Sequence, residues 1–191
     1  IAEKNFEGKD PFGVSILKYD ACLEAHIPVG LGPLHSVFDD KGNGYTSHFL
    51  DSTVVKWTLG PPYNPPEKAW QVVDKVSVHY NIGHLCAAEG DTVSPDGKYL
   101  IGMNKWAMDR FSPVGPLLPQ NFQLIDISGA GDMNLLYDMP IPLGEPHYAQ
   151  MVKADILKPH EVYEPGVSPA SMEKSPDSIA GVKEARIVRR Q

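Results

Sequence analysis

Cysteine is scarce in this sequence, where Cys22 and Cys86 are the two among 191 residues. They lie far apart and form no Cys-x-x-Cys motif, so their spacing supports neither a disulfide nor a cysteine-rich metal site. We expect two thiols that are free or buried. Long apolar runs are also missing, because none approaches the ~20 residues that a membrane-spanning helix requires.

Basic charge is in deficit as well. Lys and Arg number 17 against 24 Asp and Glu, which gives a formal net charge of −7 and a pI near 5.4. No nucleic-acid partner is expected, because phosphate binding requires a concentrated basic surface. No charged-then-apolar leader opens the sequence, and its first residue is Ile1 rather than Met. We therefore expect a piece or a processed product of a longer protein.

Proline and glycine, by contrast, are abundant, at 18 and 17 residues, and are spread along the whole chain. This punctuation predicts many short strands rather than long helices. The clearest unit has strands at 36–39, 45–50 and 53–59, with an Asp-Lys-Gly-Asn-Gly hairpin turn after the first of them. Three such antiparallel strands make most of a four-stranded propeller blade.

Further β-type patterns follow at 70–78, 94–104, 122–127 and 134–138. They predict an all-β chain with about two to three propeller blades, too few to close a ring. We assign residues 1–160 to this partial β-propeller. Residues 161–191 are rich in proline, serine and charge and predict an irregular or disordered tail. For residues 14–19 a strand and a helix remain equally open.

Three histidines, His35, His84 and His147, each lie close to Gly or Pro at an apparent junction between a strand and a loop. Their separations correspond to roughly one blade, so each blade could direct one imidazole towards the propeller axis. Neutral imidazole binds borderline metals such as copper and zinc. The spacing alone is a weak signal, because most histidines are surface residues or satisfied core residues. A site with one metal, three histidines and water in an open position stays possible on these residues.

Other catalytic patterns are lacking: there is no Gly-x-Ser-x-Gly, no His-Glu-x-x-His and no phosphate-binding glycine loop. Two charged residues near the histidines attract interest. Lys105 lies between Asn104 and Trp106, and Glu145 lies between Gly144 and Pro146. Each is ordinarily a solvated charge, but beside a metal centre both could transfer protons.

A set of longer motifs resembles the nitrous-oxide reductase family, over about residues 32–152. The motifs occur in the family's order and read Gly-Pro-Leu-His-Ser-Val-Phe-Asp, Asn-Gly-Tyr-Thr-Ser-x-Phe-Leu-Asp-Ser, Val-His-Tyr-x-x-Gly-His-Leu, Asp-Arg-Phe-x-Pro-Val-Gly-Pro-Leu, Gln-Leu-Ile-Asp-Ile-Ser-Gly and Glu-Pro-His. So many ordered motifs are far more specific than the spacing of the histidines.

The resemblance implies a periplasmic copper enzyme that reduces N₂O to N₂ and water. Its fold would be a seven-bladed β-propeller followed by a cupredoxin domain. The propeller would hold a four-copper sulfide cluster (CuZ) on seven histidines, and the cupredoxin domain would hold a two-copper electron-entry site (CuA). A c-type cytochrome or a cupredoxin would donate electrons, and two copies would form a homodimer.

By the same resemblance, His35, His84 and His147 correspond to three cluster ligands, and Lys105 and Glu145 to the residues that handle protons beside the cluster. A structural calcium site would fall at the Lys105 carbonyl and at Gln120, where the family usually has a carboxylate. Leu118 and Tyr148 also depart from the family pattern. Four of the seven histidines and the copper-binding cysteine loop are absent. We therefore expect the isolated chain to be inactive. The alternative is a non-catalytic propeller piece with a binding or structural role.

Overall fold

Antiparallel β-structure dominates the part of the chain that the computed structural model describes, which is residues 3–88, 92–105, 120–129, 131–141, 146–154 and 157. The chain divides into two units, Ile1–Met151 and Val152–Gln191. Most of the second unit, including the tail expected at 161–191, lies outside the described residues. No described helix is long and apolar enough to cross a membrane.

The first 30 residues contain a short hairpin of strands β1 (Phe6–Lys9) and β2 (Ser15–Leu17). A single helical turn, α1 (Tyr19–Cys22), follows, so the undecided segment at 14–19 holds both a strand and the start of a helix. Cys22 is exposed and Cys86 is buried, and no disulfide joins the two.

The first four-stranded sheet consists of β3 (Pro33–Phe38), β4 (Asn43–His48), β5 (Thr53–Thr58) and β6 (Val72–Ser77), paired in that order. Its β3–β4 turn is stabilised by Asp39, whose carboxylate accepts hydrogen bonds from the amides of Lys41 and Asn43. Gly42 has φ +82°, which glycine adopts without steric cost. The turn predicted from the sequence is therefore confirmed.

The second sheet consists of β7 (Ile82–Ala88), β8 (Asp96–Asn104), β9 (Asn121–Asp126) and β10 (Asn134–Pro140), again paired in chain order. Each sheet is thus a meander of four consecutive antiparallel strands, which is the construction of a propeller blade. The all-β partial propeller is confirmed, with two complete blades among the described residues.

The hydrophobic core lies between the two blades. The first blade contributes Val37, Tyr45 and Val54, and the second contributes Ile82, Leu85, Leu100 and Ile125. A pair of polar contacts also joins the blades. Lys41 Nζ donates to the Gly97 carbonyl oxygen at 2.9 Å, and the Gly97 amide donates to Asp40 Oδ1 at 2.9 Å. The first strands of the blades, β3 and β7, lie side by side as a result.

Candidate metal centre

Three imidazole rings cluster beside the first strands of the two blades, in a series here called the stack, with neighbouring ring planes tilted by 43° and 32°. The ring centroids of His35 and His84 are 4.6 Å apart, and those of His84 and His147 are 4.2 Å apart. His35 lies on β3, His84 lies on β7, and His147 follows β10. The fold thus brings together the three histidines that were singled out from the sequence.

The two strand histidines both lie at irregularities of the β-ladders. The β3–β4 register shifts between Pro33 and Ser36, and the β7–β8 register shifts between Ile82 and Leu85. A β-bulge redirects the side chain of the strand that contains it, and bulges are common beside functional sites. These two bulges direct imidazoles from neighbouring blades towards the same place.

The central ring, that of His84, is held in its neutral form. Burial lowers the pKa of His84 to about 4, with further lowering from the charge of Lys105 and from the two neighbouring histidines. Burial also lowers the pKa of His35, and Lys105 again adds to the effect. Neutral imidazole is the form that binds a metal.

The nitrogen atoms of the three rings have different partners. His35 Nδ1 accepts a hydrogen bond from the Leu85 amide at 3.0 Å. His147 Nδ1 lies 3.2 Å from Lys105 Nζ, and an ammonium group can only donate. His84 Nδ1 is buried and has no hydrogen-bond partner among the described residues. A buried nitrogen without a partner is costly, and a metal bond would satisfy it.

Imidazole nitrogens are suitable ligands for copper. The three rings, however, are not oriented to bind one metal ion together. Within the described parts of the chain, no three His, Cys, Asp or Glu side chains are arranged to hold one metal ion. His84 meets the requirement for a ligand through its unpartnered Nδ1. His35 and His147 would each have to give up the hydrogen bond at Nδ1, or the proton at Nε2, in order to bind a metal.

Lys105 was predicted from the sequence to handle protons beside the metal centre. It is buried, with 5% of its surface exposed. Its amide donates to the Asn81 carbonyl oxygen at 3.0 Å, which fixes the backbone directly after β8. Its ammonium group reaches His147. The proposed partner residue, Glu145, lies outside the described residues.

The residues of the expected calcium site lie at one end of the β8–β9 ladder. Asn104 and Asn121 form the last pair of this ladder. Lys105 directly follows β8 and Gln120 directly precedes β9, so both lie at this end. The Gln120 carbonyl oxygen accepts a hydrogen bond from the Ile141 amide at 2.6 Å. The intervening residues 106–119, which include Leu118, lie outside the described part.

The other histidines do not join the stack among the described residues. His26 is exposed, and His79 contacts Asp138 Oδ2 through its Nε2. His48 is fully buried, and neither of its ring nitrogens has a hydrogen-bond partner in the described part of the chain. His160 lies outside the described residues.

Sequence reasoning missed Ser47, whose hydroxyl connects the two bulges. It accepts a hydrogen bond from the His35 amide at 3.2 Å and donates to the Gly83 carbonyl oxygen at 2.6 Å. The His35 carbonyl oxygen lies 3.3 Å from the same hydroxyl. A signal was present, because Ser47 shares a face of β4 with Tyr45, a core residue, and the polar group on that face required a partner.

Comparison with known proteins places this arrangement in a family. Residues 75–147 match the nitrous oxide reductase propeller repeat. A nitrous-oxide reductase of Ralstonia nicotianae is 42% identical over 183 residues, which cover 94% of this chain and 27% of that protein. One from Cupriavidus necator is 41% identical over 187 residues, and one from Stutzerimonas stutzeri is 45% identical over 138 residues.

The chain spans about a quarter of the length of the curated relatives it matches, 27% for those of Ralstonia and Cupriavidus and 21% for that of Stutzerimonas. The matched repeat covers the end of β6, the whole second blade and the last of the three stacked histidines. Taken with the two four-stranded meanders, these matches show that the chain belongs to the nitrous-oxide reductase family, as part of its β-propeller.

Proposed function

We propose that this chain supplies part of a copper centre that reduces N₂O to N₂ and water with two electrons and two protons. His35, His84 and His147 would be three ligands of a four-copper sulfide cluster. The observation that carries the proposal is the stack of three imidazoles at 4.6 and 4.2 Å, drawn from two blades and a following segment.

The copper cluster would supply electrons to N₂O and polarise it as a Lewis acid. The chain's own residues prepare the site for it. Burial and the Lys105 charge keep His35 and His84 neutral, so their nitrogen lone pairs are available at neutral pH. The ammonium group of Lys105, next to His147, can donate a hydrogen bond or a proton towards the oxygen of the substrate. Glu145, two residues before His147, would return protons to Lys105.

The wider assembly belongs to the same proposal. A calcium ion would bind at the Lys105 carbonyl and near Gln120, and the whole enzyme would work in the periplasm. A homodimer would bring the two-copper entry site of one copy to the cluster of the other, with a c-type cytochrome or a cupredoxin as electron donor. Three ligands of seven cannot hold a four-copper cluster, so the chain alone would not reduce N₂O.

One observation favours the alternative, a non-catalytic propeller piece. The Leu85 amide donates to His35 Nδ1, which leaves the proton of the neutral ring on Nε2 and makes His35 a structural link between β3 and β7. A chain of this kind would keep its fold and its histidine contacts without metal.

Copper binding distinguishes the two functions. The purified chain would be titrated with Cu(I) under anaerobic conditions, and bound copper per chain would be measured after desalting. We expect copper to bind in the parent chain and in a His26→Ala control, since His26 is exposed, and to be lost in His84→Ala. Equal copper in His84→Ala and the control would refute the ligand role.

Activity tests the second half of the proposal. The chain loaded with copper and sulfide would be mixed with N₂O and reduced methyl viologen, and N₂ would be measured. We expect no turnover. N₂ formation by the isolated chain would contradict the view that the missing ligands are needed. In the copper titration, a stoichiometry of one copper per chain would instead indicate a site with a single metal.

A further inference from the structure

Ser47 occupies an unusual place between the two blades. It lies on β4, is 0% exposed, and faces β7 of the neighbouring blade. The β3–β4 ladder is irregular opposite this residue, so the backbone groups of His35 lack regular ladder partners there. The Ser47 hydroxyl takes over that role, because it accepts from the His35 amide at 3.2 Å.

The same hydroxyl reaches the second bulge. Its donor contact to the Gly83 carbonyl oxygen is the shorter one, at 2.6 Å, against 3.3 Å to the His35 carbonyl oxygen. A hydroxyl has one hydrogen, so the Gly83 contact is the main donor bond. Gly83 directly precedes His84 in the irregular part of β7. A single buried hydroxyl thus binds the backbone on which both strand histidines are mounted.

A further hydrogen bond closes a ring of contacts. The Leu85 amide, one residue after His84, donates to His35 Nδ1 at 3.0 Å. The position of the His35 ring therefore depends on how β3 and β7 are aligned, and the Ser47 side chain bonds to both strands. Small shifts in that alignment would move the His35 ring relative to the His84 ring, which is 4.6 Å away between centroids.

We propose that Ser47 is a positioning residue that locks the bulges of β3 and β7 together and so sets the separation of the His35 and His84 imidazoles. Ser47 would not touch a metal or a substrate, and it would act through the two backbone segments. The part of this inference that concerns copper rests on the proposed function, whereas the part that concerns ring position does not.

Amide hydrogen exchange in the metal-free full chain tests the positioning role. The key amide is that of Leu85, which bonds to His35 Nδ1 and not to Ser47 itself. In Ser47→Ala we expect the exchange of the Leu85 amide to rise about tenfold. Imidazole ¹⁵N spectra should show His35 Nδ1 losing its hydrogen bond. Ser47→Thr, which keeps the hydroxyl on a β-branched strand residue, should restore both signals.

Ser36→Ala is the matched control, because the Ser36 hydroxyl bonds to Thr46 Oγ1 at 2.8 Å in the same sheet, one residue from His35. It should leave the Leu85 amide and the His35 ring unchanged. If Ser47→Ala does not fold, Ser47→Cys keeps the volume with a weaker donor and should show a smaller increase in the same direction. The proposal would be overturned if the Leu85 amide exchanged as slowly in folded Ser47→Ala or Ser47→Cys as it does in Ser36→Ala.

Copper affinity provides a second, separate measurement. In a competition titration of Cu(I) against a chromophoric chelator, Ser47→Ala should bind copper about 10- to 100-fold more weakly than the parent chain and Ser47→Thr. Absence of copper binding in the parent chain would refute the proposed function and leave the exchange experiment to decide on Ser47. If Ser47→Ala changes the exchange of the Leu85 amide but leaves the copper affinity unchanged, the proposal that Ser47 positions the histidines for copper is overturned.

Discussion

The aliphatic stem of Lys105 lies directly over the α-carbon of Gly83. A β-carbon on Gly83 would stand 2.5 Å from Lys105 Cε, 2.7 Å from Cδ and 3.1 Å from Cγ. Real carbon atoms do not approach so closely, so Lys105 takes this path only because residue 83 has no side chain. The absence of one methyl group therefore allows the buried ammonium group to reach His147.

Gly83→Ala should displace Lys105 from His147. The added methyl group forces the flexible lysine stem away, and loss of the contact with His147 should cost about 1 kcal/mol in the free energy of unfolding. Urea denaturation would measure the loss, and imidazole ¹⁵N spectra would show whether His147 Nδ1 has lost its donor. Gly131→Ala is the control, since a β-carbon there meets no atom within 4 Å. An unchanged His147 signal in Gly83→Ala would contradict the steric argument.

The β3–β4 turn depends on a buried phenol. Tyr45 Oη donates to Asp39 Oδ2 at 2.9 Å. Burial raises the pKa of Tyr45, and the Asp39 charge raises it further, so the phenol keeps its proton. Tyr45→Phe removes a hydrogen bond to a charged group, which should cost about 1.5–3 kcal/mol. Thermal and urea denaturation would measure the loss. Tyr63→Phe, at a 67% exposed residue, should change stability by less than about 0.5 kcal/mol, and equal effects would refute the role of the bond.

Leu100 tests whether the two blades share one core. It is fully buried between the sheets, so Leu100→Ala removes apolar contacts and leaves a cavity. We expect a loss of about 2–5 kcal/mol in the free energy of unfolding. Leu135→Ala makes the same chemical change on β10 at a 45% exposed residue and should cost far less. Calorimetry should show one transition in the parent chain, and similar losses in both variants would argue against a core between the blades.

Strand positions could be predicted from the sequence because their signals are local. The turn before the second strand follows from residues that tolerate a positive φ. The strand expected at 45–50 corresponds to β4, which begins and ends two residues earlier, at Asn43–His48. The positions of strand ends depend less on local sequence signals and more on pairing with neighbouring strands. The strand expected at 134–138 extends to Pro140, because pairing with β9 continues to Asn121.

The details of the site could not be predicted in the same way. Three histidines were identified from their motifs, but the bulges that aim His35 and His84 depend on the pairing of distant strands. The sequence places the polar Ser47 on the core face of β4, but it does not indicate that β7 of the neighbouring blade supplies the partner. His48 likewise gave no indication of burial, because it is covered by residues that precede β3, such as Gly30.

The burial of His48 predicts a dependence of stability on pH. Burial lowers the pKa of His48. The Asp51 charge has a smaller effect in the opposite direction, and the Lys75 charge lowers the pKa further. The unfolded chain takes up a proton at this histidine near its ordinary pKa of about 6.5, whereas the folded chain takes it up only at lower pH. The unfolded state then binds more protons, so the free energy of unfolding should fall as the pH drops below about 6.5, until the folded pKa is reached.

His48→Leu should weaken this dependence on pH. Within the part of the chain that the structure describes, neither ring nitrogen of His48 has a hydrogen-bond partner, so an apolar residue of similar size loses no hydrogen bond there. His35 and His84 have lowered pKa values too, so some dependence should remain. Urea denaturation between pH 5 and pH 8 would give the slope for the parent chain, His48→Leu and the exposed control His26→Leu. We expect the slope below about pH 6.5 to decrease in His48→Leu alone, and a parent-like slope in that variant would show that His48 takes up its proton in the folded state.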